Sequence, residues 1–214
     1  MYQVSVAICN YQQKKWLHRC LRSLCDQTMC KDDFEVIIIN DDTNENLDDI
    51  VSVISDYINC KLINNRENIG LPASLNIALK KSLGRYFIRL DCDDYFSKHC
   101  LYMLSVFLDM NRNYQAIACD YKRVNEIGQN IEIVSAQKEP IACGIMFSYE
   151  SLAEVGFYNE EMKMREGHEL LTRFIKKYNL FYLPIPLYRY RMHQDNRTKN
   201  ENQILMYDKK LEEQ

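Results

Sequence analysis

The stretch that decides the fold of this chain is Gly84-Arg85-Tyr86-Phe87-Ile88-Arg89-Leu90-Asp91-Cys92-Asp93-Asp94. Its middle is strand-like and mostly apolar, and it ends abruptly in the aspartates Asp91, Asp93 and Asp94. This pattern predicts a buried strand whose carboxyl end opens into a crevice, which is where open α/β sheets bind their ligands.

Carboxylates this close together repel one another unless a cation lies between them. Asp91 and Asp93 are one residue apart, and their oxygens suit Mg2+ or Mn2+, ions that also hold phosphates. The expected ligand is therefore a metal-bound diphosphate. The alternative is a solvated acidic turn that caps a helix starting near Ser97, because aspartate favours helix N-termini.

Strand-like runs that lead into helical patterns or polar turns precede this stretch, at residues 4–11, 34–39 and 61–64. After the last run, a helix begins near Pro72, and Gly84 is expected to end it as a C-cap. Strand ends that meet at one edge predict an α/β fold, with a mostly parallel, Rossmann-like sheet flanked by helices.

At these residues the chain resembles the family 2 glycosyltransferases of the GT-A fold, inverting enzymes that use nucleotide-diphosphate sugars. The matching features are the opening strand, the acidic end of the second strand at 39–42, the Asn68-x-Gly70 turn with Asn76, and the stretch 84–94. The resemblance covers residues 3–195. It implies one GT-A domain at 1–195, with a nucleotide-sugar-binding half at 1–95 and an acceptor half at 96–195. A C-terminal tail at 196–214 is expected to be helical.

The resemblance also implies roles for individual residues. The donor, by default a UDP-sugar, would contact the main chain at Ala7 and Cys9, the side chains of Asp41 or Asp42, Arg66 and Asp91. The divalent metal, Mn2+ or Mg2+, would be held by Asp93, Asp91 and His193. For Arg66 and His193, the alternative is an ordinary solvated surface residue.

The acceptor side is expected to include a strand at 141–147, in which Gly144 allows a close approach, and a general base on the helix that follows. The family supplies the base from a Glu-Asp pair, but Gly167 stands at the aspartate position in this chain. Glu166 is the predicted base and Glu169 the second candidate, followed by His168. Both glutamates could instead be surface acids that compensate the helix dipole.

The composition fits a single domain of 214 residues with a formal charge of -3 and nine cysteines without CxxC spacing. We expect reduced thiols, no nucleic-acid partner and a cytoplasmic protein, either free or at the inner face of the membrane. The acceptor would be a glycan or a lipid-linked glycoconjugate of a polysaccharide pathway. The tail after Asn200 is expected to pack on the body of the protein, and the alternatives are that it pairs with a partner or touches a membrane. The sequence leaves the sugar and the oligomeric state open.

Two other function classes compete with a glycosyltransferase. A catalytically silent nucleotide-sugar binding module is motivated by Gly167. A nucleotidyltransferase would need a glycine-rich loop after the first strand, and Asn10-Tyr11-Gln12-Gln13-Lys14 contains no glycine. The lack of a GxGxxG after any strand excludes a dinucleotide-binding oxidoreductase for the same reason.

Overall fold

A computed structural model describes residues 2–199 and 201–212 of the chain. Its first half forms four parallel strands, β1 (Val4–Asn10), β2 (Phe34–Asn40), β3 (Asn59–Asn64) and β4 (Tyr86–Arg89), in the spatial order β3-β2-β1-β4. This arrangement confirms the predicted α/β fold with a mostly parallel sheet. It also places the carboxyl ends of β1, β2 and β4 side by side.

The second half of the chain extends the same sheet. The added strands are β5 (Tyr95–Phe96), β6 (Ala116–Val124), β7 (Asn130–Val134), β8 (Ile145–Ser148) and β9 (Leu180–Arg191). Strand β8 runs antiparallel to β4, and the order continues through β6 and β9 to β5, while β7 forms a hairpin with β6. A single sheet therefore joins both halves of the chain.

Helices α1 (Lys14–Cys25), α2 (Asp48–Ser55) and α3 (Leu71–Lys81) alternate with the parallel strands. The second half adds four more, namely α4 (Cys100–Met110), α5 (Tyr149–Val155), α6 (Glu166–Ile175) and α7 (Glu201–Glu212). In the described ranges, no helix combines the length and the apolar character that crossing a bilayer requires. The predicted domain and tail also include residues 1, 200, 213 and 214, which lie outside the described residues.

Strands β1 and β2 are buried along almost their whole length, as expected for parallel strands that are covered on both faces. Two polar residues interrupt this apolar core and satisfy each other, because the Ser5 hydroxyl donates to the Glu35 carboxylate over 2.7 Å. The same pair anchors the turn before β4, since Leu83 N–H donates to Glu35 and Gly84 N–H donates to the Ser5 hydroxyl.

Three local expectations from the sequence were wrong. Helix α3 already ends at Lys81, and Gly84 does not cap it but lies against the backbone of β1. The strand expected at 141–147 begins only at Ile145, because Gly144 turns the chain with a φ of +72°. The helix expected near Ser97 starts at Cys100 and has no acidic residue in its first turn.

Gly84→Ala should destabilise the protein, because an added Cβ would lie 2.5 Å from the backbone nitrogen of Ser5. The neighbouring strand cannot move away without breaking sheet hydrogen bonds, so we expect a loss of about 1–3 kcal/mol in the free energy of unfolding. Urea unfolding measures the change. Leu83→Ala, at a side chain that is 64% exposed, is the matched control and should change stability little. A neutral Gly84→Ala would contradict the close packing.

Candidate functional site

A cleft of about 920 Å3 opens at the carboxyl ends of β1, β2 and β4. Five of the residues selected from the sequence line it, namely Cys9, Asp41, Asp91, Asp93 and Glu166. The other selected residues lie outside its lining, namely Ala7, Asp42, Arg66, Glu169 and His193. The topology thus brings the ends of β1, β2 and β4 together with the first turn of α6.

The central contact of the cleft is made by Arg89, the last residue of β4. Its guanidinium donates two hydrogen bonds, of 2.5 and 3.1 Å, to the Asp91 carboxylate and a third, of 2.7 Å, to Glu166. Burial alone would lower the pKa of Arg89, but the carboxylates of Asp91 and Glu166 raise it well above its usual value. Arg89 therefore stays charged and joins the acidic turn to helix α6.

Asp93 is held from one side by a histidine. His193 Nε2 lies 2.8 Å from Asp93 Oδ2, and the backbone N–H of Asp195 donates to His193 Nδ1 over 3.2 Å. Because Nδ1 accepts a hydrogen bond, the proton resides on Nε2 and is donated to Asp93. In this arrangement the histidine orients the Asp93 carboxylate.

Asp94, the third aspartate of the turn, is buried and bound within the protein. Its carboxylate accepts hydrogen bonds of 2.7 Å from the Tyr188 hydroxyl and from the Arg191 backbone N–H. Burial raises the pKa of this carboxyl well above its usual value, and the neighbouring Asp93 and Asp91 raise it further. Asp94 thus fastens β9 to the acidic turn, and it does not cap a helix.

A divalent cation is implied by the fold family, and the carboxylates of the turn can be tested for it. Both oxygens of Asp91 are bound by Arg89, and both oxygens of Asp94 are bound by β9. Asp93 faces the cleft, and its Oδ1 receives no hydrogen bond from the described residues. A single carboxylate that works together with substrate phosphates is a usual protein contribution to a Mg2+ or Mn2+ site, so the residues fit the group.

On the opposite wall, Asp41 organises the loop between β3 and α3. Its carboxylate accepts hydrogen bonds from the Asn65 amide at 2.8 Å and from the backbone N–H groups of Ile69 and Gly70 at 3.0 and 2.9 Å. Asp42 points elsewhere and accepts a bond from the Asn44 backbone N–H. The two neighbouring aspartates therefore have different surroundings, and only Asp41 lines the cleft.

The first turn of α6 supplies another acidic side chain, Glu166, to the cleft. Glu166 is 5% exposed and lines the cleft, whereas Glu169 faces away and is bound by Arg173 at 2.5 and 2.8 Å. His168 also lines the cleft, and burial, followed by the charge of Arg165, lowers its pKa. The structure thus brings Glu166 and His168 to the cleft but not Glu169.

Close packing against Ala142 explains why residue 167 is a glycine. A Cβ at this position would overlap the Cβ of Ala142 and lie 3.1 Å from the Ala142 Cα. The loop 140–143 therefore occupies the space that an aspartate side chain would need. Any carboxylate that α6 offers to the cleft must come from Glu166.

Sequence reasoning missed two residues of the site. Arg89 carried a signal, because an arginine inside an otherwise apolar strand must find a buried partner. Tyr11 follows β1, lines the cleft and is 47% exposed, so its ring is available to a ligand. Cys9 lies beside it, and burial raises the pKa of its thiol, which keeps the thiol protonated.

Known proteins resemble this chain in sequence. A family model described as "Glycosyl transferase family 2" matches residues 5–135. The poly(ribitol-phosphate) beta-N-acetylglucosaminyltransferase TarS of Staphylococcus aureus is 31% identical over 110 residues, which are 51% of this chain and 19% of TarS. The chain spans 19%, 49% and 19% of the lengths of the first three curated relatives.

Two solved structures share the fold. S. aureus TarS 1–349 in complex with UDP-GlcNAc superposes with a TM-score of 0.80 at 21% identity, covering 92% of this chain and 61% of that one. The mannosyltransferase PcManGT of Pyrobaculum calidifontis, in complex with GDP-Man and Mn2+, gives 0.76 at 15% identity, covering 95% and 61%. Both likenesses confirm the predicted GT-A fold. With the family model matching more than half of its residues, the chain belongs to glycosyl transferase family 2.

Proposed function

We propose that this chain is an inverting, metal-dependent glycosyltransferase that moves a sugar from a nucleotide-diphosphate donor, UDP-linked by default, to a glycan or glycoconjugate. The observation that carries the proposal is that one cleft holds both Asp93, whose Oδ1 receives no hydrogen bond from the described residues, and Glu166, a buried carboxylate in the first turn of α6. Inverting transfer needs these two features, a site for the leaving diphosphate and a base for the acceptor. The sugar would be a hexose or an N-acetylhexosamine.

The nucleotide would lie between Tyr11 and the loop that Asp41 organises. An exposed ring beside the strand ends offers a face for a base, and Asp41 and the N–H groups around Gly70 lie across from it. The structure complexes of TarS with UDP-GlcNAc and of PcManGT with GDP-Man support a nucleotide-sugar donor. The ordered Arg89–Asp91 pair would face the sugar.

The diphosphate would lie over the acidic turn. When bound at Asp93, a divalent cation would stabilise the negative charge that develops on the diphosphate as the glycosidic bond breaks. His193 holds Asp93 in place for this role, and Arg191 does not take part directly, because its side chain is buried against Trp16 and Tyr95. The Mn2+ in the PcManGT complex supports a divalent metal beside the nucleotide-sugar donor.

Glu166 would act as the general base. The acceptor hydroxyl loses its proton to Glu166 as its oxygen forms a bond to the anomeric carbon, and the bond to the diphosphate breaks on the opposite face. The electron pair of the broken bond leaves with the diphosphate, and the configuration inverts because attack and departure take place on opposite faces of the anomeric carbon. Arg89 donates a hydrogen bond to Oε1 of Glu166, and Oε2 of Glu166 receives no hydrogen bond from the described part of the chain.

A silent nucleotide-sugar binding module is the second candidate function. The tight contact of Gly167 with Ala142 supports it, because the chain has no room for the carboxylate that the family usually places there. Both functions share donor binding and differ only in turnover. Mass spectrometry of a UDP-sugar incubated with the protein, Mn2+ and glycan acceptors distinguishes them, since the silent module would release no UDP.

Asp93→Asn should abolish metal-dependent UDP binding and leave the fold intact, because the carboxylate holds a cation and not the core. Calorimetric titration with UDP, with and without Mn2+, measures the effect. Asp195→Asn makes the same chemical change at the rim of the cleft, where the side chain is 63% exposed, and should bind UDP as the unmodified protein does. Undiminished Mn2+-dependent affinity in Asp93→Asn would remove the metal site from the proposal.

Asp41→Ala should weaken UDP binding more than Asp42→Ala, because only Asp41 lines the cleft and holds the 65–70 loop. Losing three charge-assisted hydrogen bonds that order this wall should cost at least tenfold in affinity, at about 1.4 kcal/mol per tenfold. Asp42→Ala should mainly lower stability. UDP titration and urea unfolding of both variants test the contrast, and equal, negligible effects on affinity would contradict the proposed nucleotide wall.

Glu166→Gln should lower turnover by about a hundredfold or more and change donor affinity little, the usual result of losing a general base. Glutamine keeps the bond to Arg89 but cannot take the proton. Glu169→Gln is the matched control on the same helix and should be milder, since Glu169 faces Arg173. Initial rates at saturating UDP-sugar compare them. A damaging Glu169→Gln, or an inert Glu166→Gln with a damaging His168→Gln, would move the base away from Glu166.

A further inference from the structure

Outside the cleft, helix α1 has one strongly basic face. Lys15, His18, Arg19 and Arg22 share this face, because the pairs 15/18, 15/19, 18/22 and 19/22 are three or four residues apart, and all four are exposed. The opposite face is apolar and buried, through Leu17, Cys20, Leu21 and Leu24. At about 1.5 Å of rise per residue, the basic stripe is about 10 Å long.

His18, Arg19 and Arg22 of this stripe form one wall of a second groove, with a volume of about 860 Å3, between α1 and β5. Lys15 lies outside the lining and pairs with Asp195 at 3.0 Å. Arg19, Arg22 and Lys98 supply three cationic side chains to its lining, against the single carboxylate of Asp26. The groove is therefore locally positive, although the whole chain carries a formal charge of -3. Such a local reversal of charge attracts anions.

The cations of the groove are available to a ligand. Within residues 2–199 and 201–212, neither Arg22 nor Lys98 makes an ion pair or a side-chain hydrogen bond, and no ion pair joins either of them to Asp26. Arg19 donates only to the Ile127 carbonyl, at 3.1 Å, and packs over the Tyr95 ring at 4.3 Å. Its guanidinium also lies against Gly128, where an added Cβ would come within 2.3 Å of Nη1 and 2.4 Å of Nη2. The cations of the lining without such contacts in the described ranges are therefore Arg22 and Lys98.

The groove adjoins the candidate active site. From Arg19 and Tyr95, stacked contacts continue to Arg191 at 5.4 Å from the Tyr95 ring and then to Trp16 at 4.6 Å. Trp16 contacts His193, with ring centroids 5.3 Å apart, and His193 holds Asp93. A chain bound in the groove would thus lie next to the acidic turn of the cleft.

We propose that this groove binds a linear anionic polymer, with a row of phosphate or carboxylate groups along the basic stripe of α1. A row of cations in a concave groove fits an extended chain. A bilayer would need exposed apolar side chains to insert, whereas Phe96 in the lining is buried. A single-stranded nucleic acid would gain affinity from an exposed ring on which its bases stack, but Arg19 covers the Tyr95 ring. The identification of this polymer as the distal part of the sugar acceptor rests on the proposed function. Binding of the polymer to the groove does not depend on that function.

Fluorescence anisotropy with labelled inorganic polyphosphate and labelled polygalacturonate tests the groove, and comparing them shows whether phosphate or carboxylate is preferred. Arg22→Gln/Lys98→Gln should weaken binding by about tenfold or more, and it should reduce the slope of log affinity against log salt by about 1.4 for two lost contacts. Lys80→Gln/Lys81→Gln also removes two positive charges, at exposed lysines in the last turn of α3; it is the charge-matched control and should bind as the unmodified protein does.

Equal binding by both double variants would overturn the proposal, and so would tighter, groove-dependent binding of phosphatidylglycerol vesicles or of an oligonucleotide. UDP titration with Mn2+ on the same proteins keeps the two proposals apart. Arg22→Gln/Lys98→Gln should bind UDP normally, because neither residue lines the cleft. If the unmodified protein binds polymer but not UDP, the groove stands and the proposed donor site fails.

Discussion

The site depends on one buried guanidinium. Arg89 holds Asp91 and Glu166 at once, and its side chain is only 8% exposed. Without it, two carboxylates would share a poorly hydrated space with no compensating charge, and breaking such a buried contact typically costs about 3–5 kcal/mol. The contact also has a structural consequence, because it joins the last residue of β4 to the first turn of α6 across 77 residues of sequence.

The acidic turn after β4 divides its tasks among three neighbouring side chains. Asp91 pairs with Arg89. Asp93 faces the cleft and is oriented by a hydrogen bond with His193. Asp94 holds strand β9 through hydrogen bonds from Tyr188 and Arg191. Only one of the three thus keeps an oxygen for an exogenous cation. The other two fix the position of that oxygen, which a metal site needs as much as the ligand itself.

Gly167, in the first turn of α6, determines how the loop 140–143 packs on this helix. Because Ala142 packs against Gly167, the loop 140–143 closes on the helix where a side chain would otherwise project into the cleft. Glu166 lies one position earlier and is drawn towards Arg89. The same ion pair therefore determines the position of Glu166 in the cleft.

From the sequence by itself, the parallel strands and the acidic turn could be predicted, because burial on both faces and abrupt strand ends leave local patterns. The GT-A fold was predicted from the resemblance of these motifs to a known family. The long strands β6 and β9 had no such clear boundaries, since their pairing partners are distant in sequence. The placement of the acidic groups was decided only by the tertiary structure. Contacts of Arg89 and Arg173 decide which carboxylate oxygens are bound and which glutamate faces the cleft. The contact with Ala142 explains why residue 167 is a glycine. Side chains of the same type thus differ in role because the fold gives them different partners.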